Sequence, residues 1–419
     1  MPKSGSPMEL VTLASIPLVM VLGNSMIVPI LPTMEKELKL TQFQVSLMIT
    51  AFSLAAALII PFVGYLSDRY GRKKIIVPAL ILYGLGGIAA GLAAWLMKQP
   101  YLIILIARII QGIGAAGTAP IAMALIGDLY SGAEESKALG AIEATNGLGK
   151  VLSPVIGSLI ALLIWYAVFF AFPILCFITA VAVWFAIKEK KTSEPKPFRQ
   201  YAADLKQIFK KQGSWLVPAF LVGSTGLFIL FGVLFYLSDI LEAKFKVDGI
   251  KKGLILAIPL MGMVTTSYVT GAKIGQDKLL MRKVMLTGLL FLLISMVVVA
   301  FFKQIYILIG LLTLGSIGTG LLLPCLNTLI TGAVPQSERG MITSLYNSLR
   351  FLGVAIGPPV FGWLMGISHR TLFFSVAGLA GIALLLTLFF IKPGNKGKGG
   401  APPSQQDQSI SLFKKIPAK

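Results

Sequence analysis

The chain has 419 residues, of which 56% are hydrophobic and 13% are charged. Soluble domains carry about a quarter charged residues, so this composition excludes an ordinary soluble enzyme and favours a membrane protein. The formal net charge of +20 does not indicate a nucleic-acid binder, because the basic residues lie in short gaps between long apolar runs.

Cysteine and histidine are too sparse to suggest a metal site. Cys176 and Cys325 lie far apart in apolar runs, and His369 is the only histidine. We therefore expect no metal, no cofactor and no disulfide framework. The first apolar run continues to Pro32 without a small-residue cleavage pattern, so we expect a retained span and not a cleaved signal peptide.

Twelve apolar runs are long enough to cross a bilayer, which takes about 20 residues. They lie at 9–32, 44–66, 75–97, 101–127, 138–163, 165–187, 214–240, 250–272, 281–302, 304–332, 340–366 and 371–391. The sequence predicts an all-α membrane protein of twelve transmembrane helices in two six-helix halves. Placing both termini in the cytoplasm puts most Lys and Arg inside, although Lys244, Lys246, Lys251 and Lys252 then lie outside.

A polar stretch joins the two halves. Within it Tyr201, Leu205 and Ile208 recur at helical spacing, which predicts an amphipathic helix on the inner leaflet; an unstructured basic linker is the alternative. The tail is rich in Gly, Pro, Gln and Lys, so we expect it to be disordered. The expected units are 1–187, the linker 188–213, 214–392 and the tail 393–419.

The two halves repeat parts of one pattern. A single offset takes Ile113 to Ile317 and Pro120 to Pro324. The same offset also pairs Gly114 with Gly318, Glu134 with Glu338, Gly149 with Gly353 and Pro154 with Pro358. Repeated halves of this kind are typical of transporters that bind their substrate between the halves.

The loop after the second span has a distinctive pattern of glycine and charge. Its members are Gly64, Asp68, Arg69, Gly71 and Arg72, followed by two lysines. The glycines permit close helix approach and a tight turn, and the basic cluster favours a cytoplasmic position. This loop resembles the signature loop of the major facilitator superfamily. The corresponding loop of the second half, 271–283, keeps a glycine, Asp277 and basic residues.

Two early segments resemble one subgroup of that superfamily, the twelve-span drug:proton antiporters. The first span ends in Pro29-Ile-Leu-Pro32, and the fourth contains Arg108 shortly before Gln111 and Gly114. The resemblance implies that Arg108 takes part in proton transfer.

The fifth span resembles the antiporter motif in its spacing. Gly149, Pro154 and Gly157 match that motif, whereas Ser153 and Ser158 replace glycines. Serine is still small enough for close helix packing. Proline and glycine at these positions also let a span bend around a central site, so we expect a conformational role for them.

Charges inside spans are costly and usually mark a pathway. The candidates are Arg108, Glu143, Lys150 and Arg350, with Asn146 on a stripe adjoining Glu143 and Lys150. We expect Lys150 and Arg350 to line a cavity; the alternative is pairing that locks helices together, such as Lys150 with Glu143, or Arg108 with polar groups. Asp239 is interpreted as a solvated helix end.

The sign of these charges bears on the substrate. Three cations and one anion leave the interior positive, which favours an anionic or zwitterionic substrate over a lipophilic cation. The seventh span also carries an aromatic stripe, Phe228, Phe231, Phe235 and Tyr236. The stripe fits either contact with a cavity or packing toward lipid.

The resemblance covers about 9–392 and implies a proton-coupled exporter of small amphipathic compounds that works by alternating access. We expect a monomer in the plasma membrane, with Glu143 as the carboxylate that binds protons and with small molecules, protons and the bilayer as its partners. The alternatives are an organic-anion exporter, a lipid or glycolipid flippase, and a receptor on a former transporter scaffold. The sequence contains no GxxxxGK[ST] loop, which disfavours an ATP-driven pump.

Overall fold

Helices make up almost all of the computed structural model, which describes residues 7–130, 133–189, 197–275, 277–333 and 336–392. The helices are α1 (Pro7–Ser25), α2 (Leu31–Glu37), α3 (Gln42–Tyr70), α4 (Arg72–Leu96), α5 (Tyr101–Ala116), α6 (Ala119–Leu129), α7 (Ala133–Ala161), α8 (Val168–Ala186), α9 (Phe198–Ala243), α10 (Gly249–Lys273), α11 (Lys278–Val299), α12 (Ile305–Thr331), α13 (Gln336–Ile367) and α14 (His369–Phe390). Short 3-10 turns lie at Val28–Ile30 and Trp165–Ala167.

The predicted all-α membrane fold is confirmed. Eleven segments of the described chain are long and apolar enough to cross a membrane. The remaining predicted span, 138–163, corresponds to α7, which has 29 residues but carries charged side chains within it. The predicted tail, 393–419, lies outside the described residues.

The first predicted span is divided. α1 ends at Ser25, and the 3-10 turn Val28–Ile30 separates it from α2. Pro29 and Pro32 have no backbone N–H and therefore cannot continue a helical hydrogen-bond ladder. α2 then carries the chain as far as Glu37, beyond the predicted end of the span.

The fourth predicted span is also divided. α5 ends at Ala116 and α6 begins at Ala119, with Gly117 and Thr118 between them. Thr118 has φ −106° and ψ −102°, outside the helical region. Its hydroxyl donates to the carbonyl of Ala115 at 2.6 Å, and its backbone N–H donates to the same carbonyl at 3.2 Å, which closes the end of α5.

The most extensive contacts between the described parts of the two halves are those of α3 with α13 and of α7 with α10. The hydroxyl of Thr50 donates to the carbonyl of Ala355 at 2.6 Å, and that of Ser348 donates to Ala57 at 2.5 Å. In the other pair Gly253 lies against the carbonyl of Pro154, where a Cβ atom would collide. Small residues thus allow the halves to approach closely.

The predicted linker helix is the first part of α9, which runs unbroken for 46 residues into the seventh span. Its apolar side is covered by protein, because Ile208 is 6% exposed and packs in one cluster with Ile274 and Ile330. The amide of Gln212 donates to the carbonyl of Ala333 at 2.9 Å. The apolar side of this helix therefore faces the helix bundle.

Candidate functional site

Arg108 lies at a junction of three helices and is completely buried. From α5, its Nε donates to the carbonyl of Met48 in α3 at 2.9 Å, and its guanidinium lies 4.5 Å from the ring centre of Phe52. Its Nη2 donates to Oδ1 of Asn24 in α1 at 3.0 Å. Its Nη1 contacts Oε1 of Gln111 at 2.6 Å and the carbonyl of Gly23 at 3.4 Å.

These partners of Arg108 are neutral. A buried charge is costly unless hydrogen bonds or an opposite charge compensate it, and here carbonyls, amides and an aromatic ring supply that compensation. The contacts to Gly23 and Asn24 fall just before the point where α1 ends. Arg108 therefore fixes the last turn of α1 to α3 and α5.

Asn146 and Lys150 lie on the inward side of α7. Leu148 and Leu152 on the same helix are exposed, and helical periodicity places Asn146 and Lys150 on the opposite side from them. Both are half-buried, and Oδ1 of Asn146 is buried without a hydrogen-bond partner. Glu143 also belongs to α7, but its side chain lies outside the described part of the chain, so its proton-binding role stays a prediction.

Arg350 occupies a comparable position on α13. Its Nη1 donates to Oδ1 of Asn347 at 3.2 Å, and its guanidinium lies 5.4 Å from the ring centre of Tyr346. Asn347 points away from the exposed side of the helix, which carries Ile356 and Trp363. The Nε of Arg350 is buried and has no hydrogen-bond partner. Thus α7 and α13, one from each half, each carry an inward-facing cation. Their neighbours differ, because α7 packs on α1 and α10 whereas α13 packs on α3 and α9.

The aromatic stripe of α9 is buried. Phe228, Phe231, Phe235 and Tyr236 are all less than a tenth exposed. Phe228 packs on Phe361, and the hydroxyl of Tyr236 lies 2.9 Å from Nδ1 of His369. The lipid-facing interpretation of the stripe is therefore wrong for these side chains.

The small residues of α7 pack against its neighbours. Gly149 faces Leu18 of α1. Gly157 lies against the carbonyl of Met26, at the point where the first span is divided, and a Cβ atom there would collide with that carbonyl. Pro154 contributes its carbonyl to the contact with α10. The motif residues of α7 thus allow close contact with both helices.

The signature loop is held by a network of charges. Arg72 pairs with Asp68, its Nη1 donates to the hydroxyl of Ser67 at 2.6 Å, and its Nε pairs with Asp128 of α6 at 3.0 Å. Arg69 lies over the ring of Tyr70 instead, 5.5 Å from its centre. The sequence pattern had not identified Asp128, which follows the fourth span far along the chain.

Glu189, which the sequence also did not reveal, caps the helix that follows this loop. Its Oε1 accepts from the backbone N–H of Arg72 at 2.6 Å, and its Oε2 accepts from that of Lys73 at 3.0 Å. Gly71 has φ +107°, a conformation that suits glycine, and its position beside Oε2 leaves little room for a side chain. A carboxylate from beyond α8 thus stabilises the start of α4.

The loop lies close to the second half. Gly64 of α3 faces the hydroxyl of Ser344 in α13, 3.0 Å from the position of a Cβ atom. The rings of Tyr65 and Tyr201 meet edge to face at 5.5 Å between centres. We call this end of the bundle the Asp68 end, and the opposite end, where α2 and α9 finish, the Lys36 end.

The Lys36 end carries a network of ion pairs that the sequence had not identified. Glu242 of α9 bonds Lys36 of α2 through Oε1 at 2.5 Å and Lys252 of α10 through Oε2 at 2.7 Å. Asp239, four residues before the end of α9, is half-buried and lies beside Glu35 of α2. Lys252 was the one sequence feature that could have indicated these ion pairs, because it is a charged residue at the start of an apolar run.

Comparison with known proteins relates the chain to membrane transporters. A family model described as Major Facilitator Superfamily matches residues 13–279 and 238–417. A bacillibactin exporter of Bacillus subtilis is 46% identical over 386 residues, which cover 91% of this chain and 96% of that protein. The multidrug efflux protein YfmO of the same species is 26% identical over 88% of this chain and 89% of its own length.

Solved structures show the same fold at low sequence identity. The human organic anion transporter MFSD10 superposes with a TM-score of 0.71 at 19% identity, covering 91% of this chain and 100% of that one. A D-xylose-proton symporter gives a TM-score of 0.74 at 16% identity, covering 94% and 100%. At such identities the similarity establishes the fold and not the substrate.

Proposed function

The chain belongs to the major facilitator superfamily, a family of transporters and not of enzymes, and we propose that it exports a small anionic compound by alternating access. The observation that carries the proposal is the pair of inward-facing cations, Lys150 on α7 and Arg350 on α13, on helices that join the two halves. The extensive similarity to a bacillibactin exporter makes bacillibactin the first cargo to test.

The inward-facing polar groups suit an anion that also accepts and donates hydrogen bonds. Oδ1 of Asn146 and Nε of Arg350 are buried without partners, and an unsatisfied buried polar group costs about 1–3 kcal/mol. A cargo that bonded these groups would recover part of that cost. The buried aromatic side chains Phe228 and Phe231 of α9 would supply apolar contact once the bundle opens.

The proposed orientation places the Asp68 end in the cytoplasm. The basic residues of the signature loop and of the first part of α9 then lie on the inner side of the plasma membrane. Both termini are cytoplasmic in this arrangement, and the transporter works as a monomer. Proton exchange supplies the driving force, with Glu143 as the candidate proton-binding carboxylate and Arg108 as a residue that takes part in proton transfer.

Transport into inside-out vesicles tests this proposal. With the vesicle lumen made acidic, we expect uptake of bacillibactin and release of protons, and little uptake of a lipophilic cationic dye. A headgroup-labelled lipid serves as a third cargo and would detect flippase activity. Uptake of bacillibactin at the same rate with and without the pH gradient would contradict proton coupling, and preference for the cationic dye would contradict the anionic cargo.

Charge removal at the proposed site tests the role of the cations. We expect Lys150→Ala and Arg350→Ala each to lower the apparent affinity for bacillibactin by about tenfold or more, the value of one hydrogen bond to a charged group. The matched control is Lys206→Ala, which removes the same charge from the exposed side of α9. Normal anion transport by both site variants would remove these residues from the pathway.

A further inference from the structure

The second half has its own version of the signature loop, at 271–283, and this version is strongly basic. Its charged residues are Lys273, Lys278, Arg282 and Lys283, with Asp277 as the one acid. The offset that relates the halves pairs Gly71 with Gly275, and both have positive φ, +107° and +53°. The two loops therefore turn at corresponding points of the chain.

The acids that neutralise the first loop have no counterparts in the second half. Arg72 pairs with Asp68 and Asp128, and its backbone N–H donates to Glu189. The same offset places three uncharged residues at the positions of these acids, namely Ala272, Gly332 and Pro393. Asp277 caps the start of α11. The second loop thus keeps its basic residues without the carboxylates that serve the first loop.

Arg282 lies half-buried where α11 meets the end of α14. Its Nη2 donates to the carbonyl of Leu388, in the last turn of α14, at 2.6 Å. Its Nε is buried and has no hydrogen-bond partner among the described residues. A guanidinium presents its donors in a rigid fork that matches a phosphate group, and a buried donor without an acceptor is costly. Arg282 is therefore held in place with a donor still available for an anion.

Two lysines flank the contact between Arg282 and Leu388. Lys278 stands one turn before Arg282, so the two share one side of α11. Lys392 follows just after α14 ends, four residues beyond Leu388. Both lysines are exposed. We call Lys278, Arg282 and Lys392 the basic edge.

The surface beside the basic edge is apolar and open to the bilayer. α14 exposes Leu385, Leu388 and Phe389 along its last turns, and Phe389 is 58% exposed. Leu279 of α11 is exposed next to Lys278. A basic cluster at the end of two spans, with apolar side chains on its membrane side, matches an amphiphile that has an anionic headgroup.

We propose that the basic edge binds the headgroup phosphate of an anionic phospholipid in the leaflet at the Asp68 end. Arg282 donates to Leu388 through Nη2 and to the phosphate through Nε, while Lys278 and Lys392 supply further positive charge. The acyl chains lie along the exposed apolar side of α14. The lipid thus brings to the second half the negative charge that carboxylates bring to the first. Lipid binding is measured without transport, so it is independent of the cargo.

Native mass spectrometry of the purified protein, titrated with lipid in detergent, measures this binding. We expect phosphatidylglycerol to bind more tightly than phosphatidylcholine with the same acyl chains. Arg282→Gln should lower the affinity for the tightest-bound phosphatidylglycerol by about tenfold or more, the value of one hydrogen bond to a charged group. Lys278→Gln should lower it by about fivefold, the value of one basic residue near a membrane surface.

The matched control is Arg199→Gln, which removes the same charge from the exposed side of α9 at the same end. We expect its affinity for phosphatidylglycerol to equal that of the unmodified protein. Arg282→Gln also loses the bond to Leu388, whereas Lys278 is exposed, so Lys278→Gln tests the site without disturbing the helix contact. Equal affinity of Arg199→Gln and both site variants would overturn the proposal, as would equal binding of the two lipids.

Thermal unfolding separates a lipid site from a site for any phosphate. Phosphatidylglycerol should raise the unfolding temperature of the unmodified protein and of Arg199→Gln, and should raise that of Arg282→Gln and Lys278→Gln less. Inorganic phosphate should raise none of them. A rise with inorganic phosphate equal to that with phosphatidylglycerol would refute the lipid as the occupant. These outcomes stand whether or not bacillibactin proves to be the cargo.

Discussion

The fourth and tenth spans occupy corresponding positions in the two halves, yet only the fourth is divided. Pro120 and Pro324 coincide under the repeat, but α12 continues through Pro324 whereas the fourth span breaks before Pro120. The residues at the break are Gly117 and Thr118, and Leu321 and Leu322 stand at the matching positions. Proline alone therefore does not divide the helix; weak helix formers just before it are also needed.

The same two spans also differ at one completely buried position. Arg108 corresponds to Leu312 in the repeat, and both are completely buried. In the first half a cation joins three helices through hydrogen bonds, whereas in the second half an apolar side chain fills the corresponding position. The first half thus carries both divided spans, and the polar junction around Arg108 connects them. The spans of the second half are continuous helices in the described part of the chain.

Replacing Arg108 by its counterpart, Arg108→Leu, should have the largest effect. The variant leaves the side-chain oxygens of Asn24 and Gln111 without their donor, and each unsatisfied buried group costs about 1–3 kcal/mol. We expect the free energy of unfolding to fall by about 3 kcal/mol or more and export to be almost abolished. Thermal unfolding in detergent and vesicle transport measure the two effects.

Two further variants sharpen this result. Arg108→Lys keeps the charge, but its single nitrogen cannot reach the acceptors on three helices that the guanidinium reaches through Nε, Nη1 and Nη2, so we expect export below a tenth of normal. Leu312→Met conserves volume at the corresponding position and should cost less than about 1.5 kcal/mol. If Arg108→Leu unfolded at the normal temperature and exported normally, the polar junction would have no function.

The sequence predicted the spans well, because a long apolar run has few other possible structures. It could not locate the divisions within them, since Pro120 and Pro324 give the same signal and only the neighbouring residues decide the outcome. Arg108 was identifiable because a charge in a span is conspicuous. Its acceptors at Met48 and Gly23 were not, because they are backbone carbonyls and leave no mark in the sequence.

The two halves also differ in how they begin the helix after their second spans. In the first half, Glu189 caps α4 with both carboxylate oxygens from a distance of 117 residues along the chain. In the second half, Asp277 caps α11 locally, and Oδ1 alone accepts from Leu279 at 2.9 Å and Leu280 at 3.1 Å. A local cap is readable from sequence, whereas a distant cap is not.

This difference predicts unequal responses to amide substitution. In Glu189→Gln one oxygen becomes an NH₂ group that cannot accept from an N–H, so we expect a loss of about 1 kcal/mol and a few-fold loss of export. In Asp277→Asn the accepting oxygen is retained, so we expect a loss of only about 0.3 kcal/mol, the value of the lost charge. Thermal unfolding of both variants gives the comparison, and equal losses would contradict the two-oxygen cap.

Substitutions of the matched prolines should have small effects of opposite sign. Pro324→Ala restores a backbone N–H inside α12, so we expect a gain of about 0.5–1.5 kcal/mol from the regained helical hydrogen bond, partly offset by greater freedom of the unfolded chain. Pro120 lies in the first turn of α6, where an N–H has no helical acceptor. Pro120→Ala should therefore lose a few tenths of a kcal/mol through the unfolded chain alone. Paired unfolding curves measure both signs, and stabilisation by Pro120→Ala would show that the fourth span is divided by its proline after all.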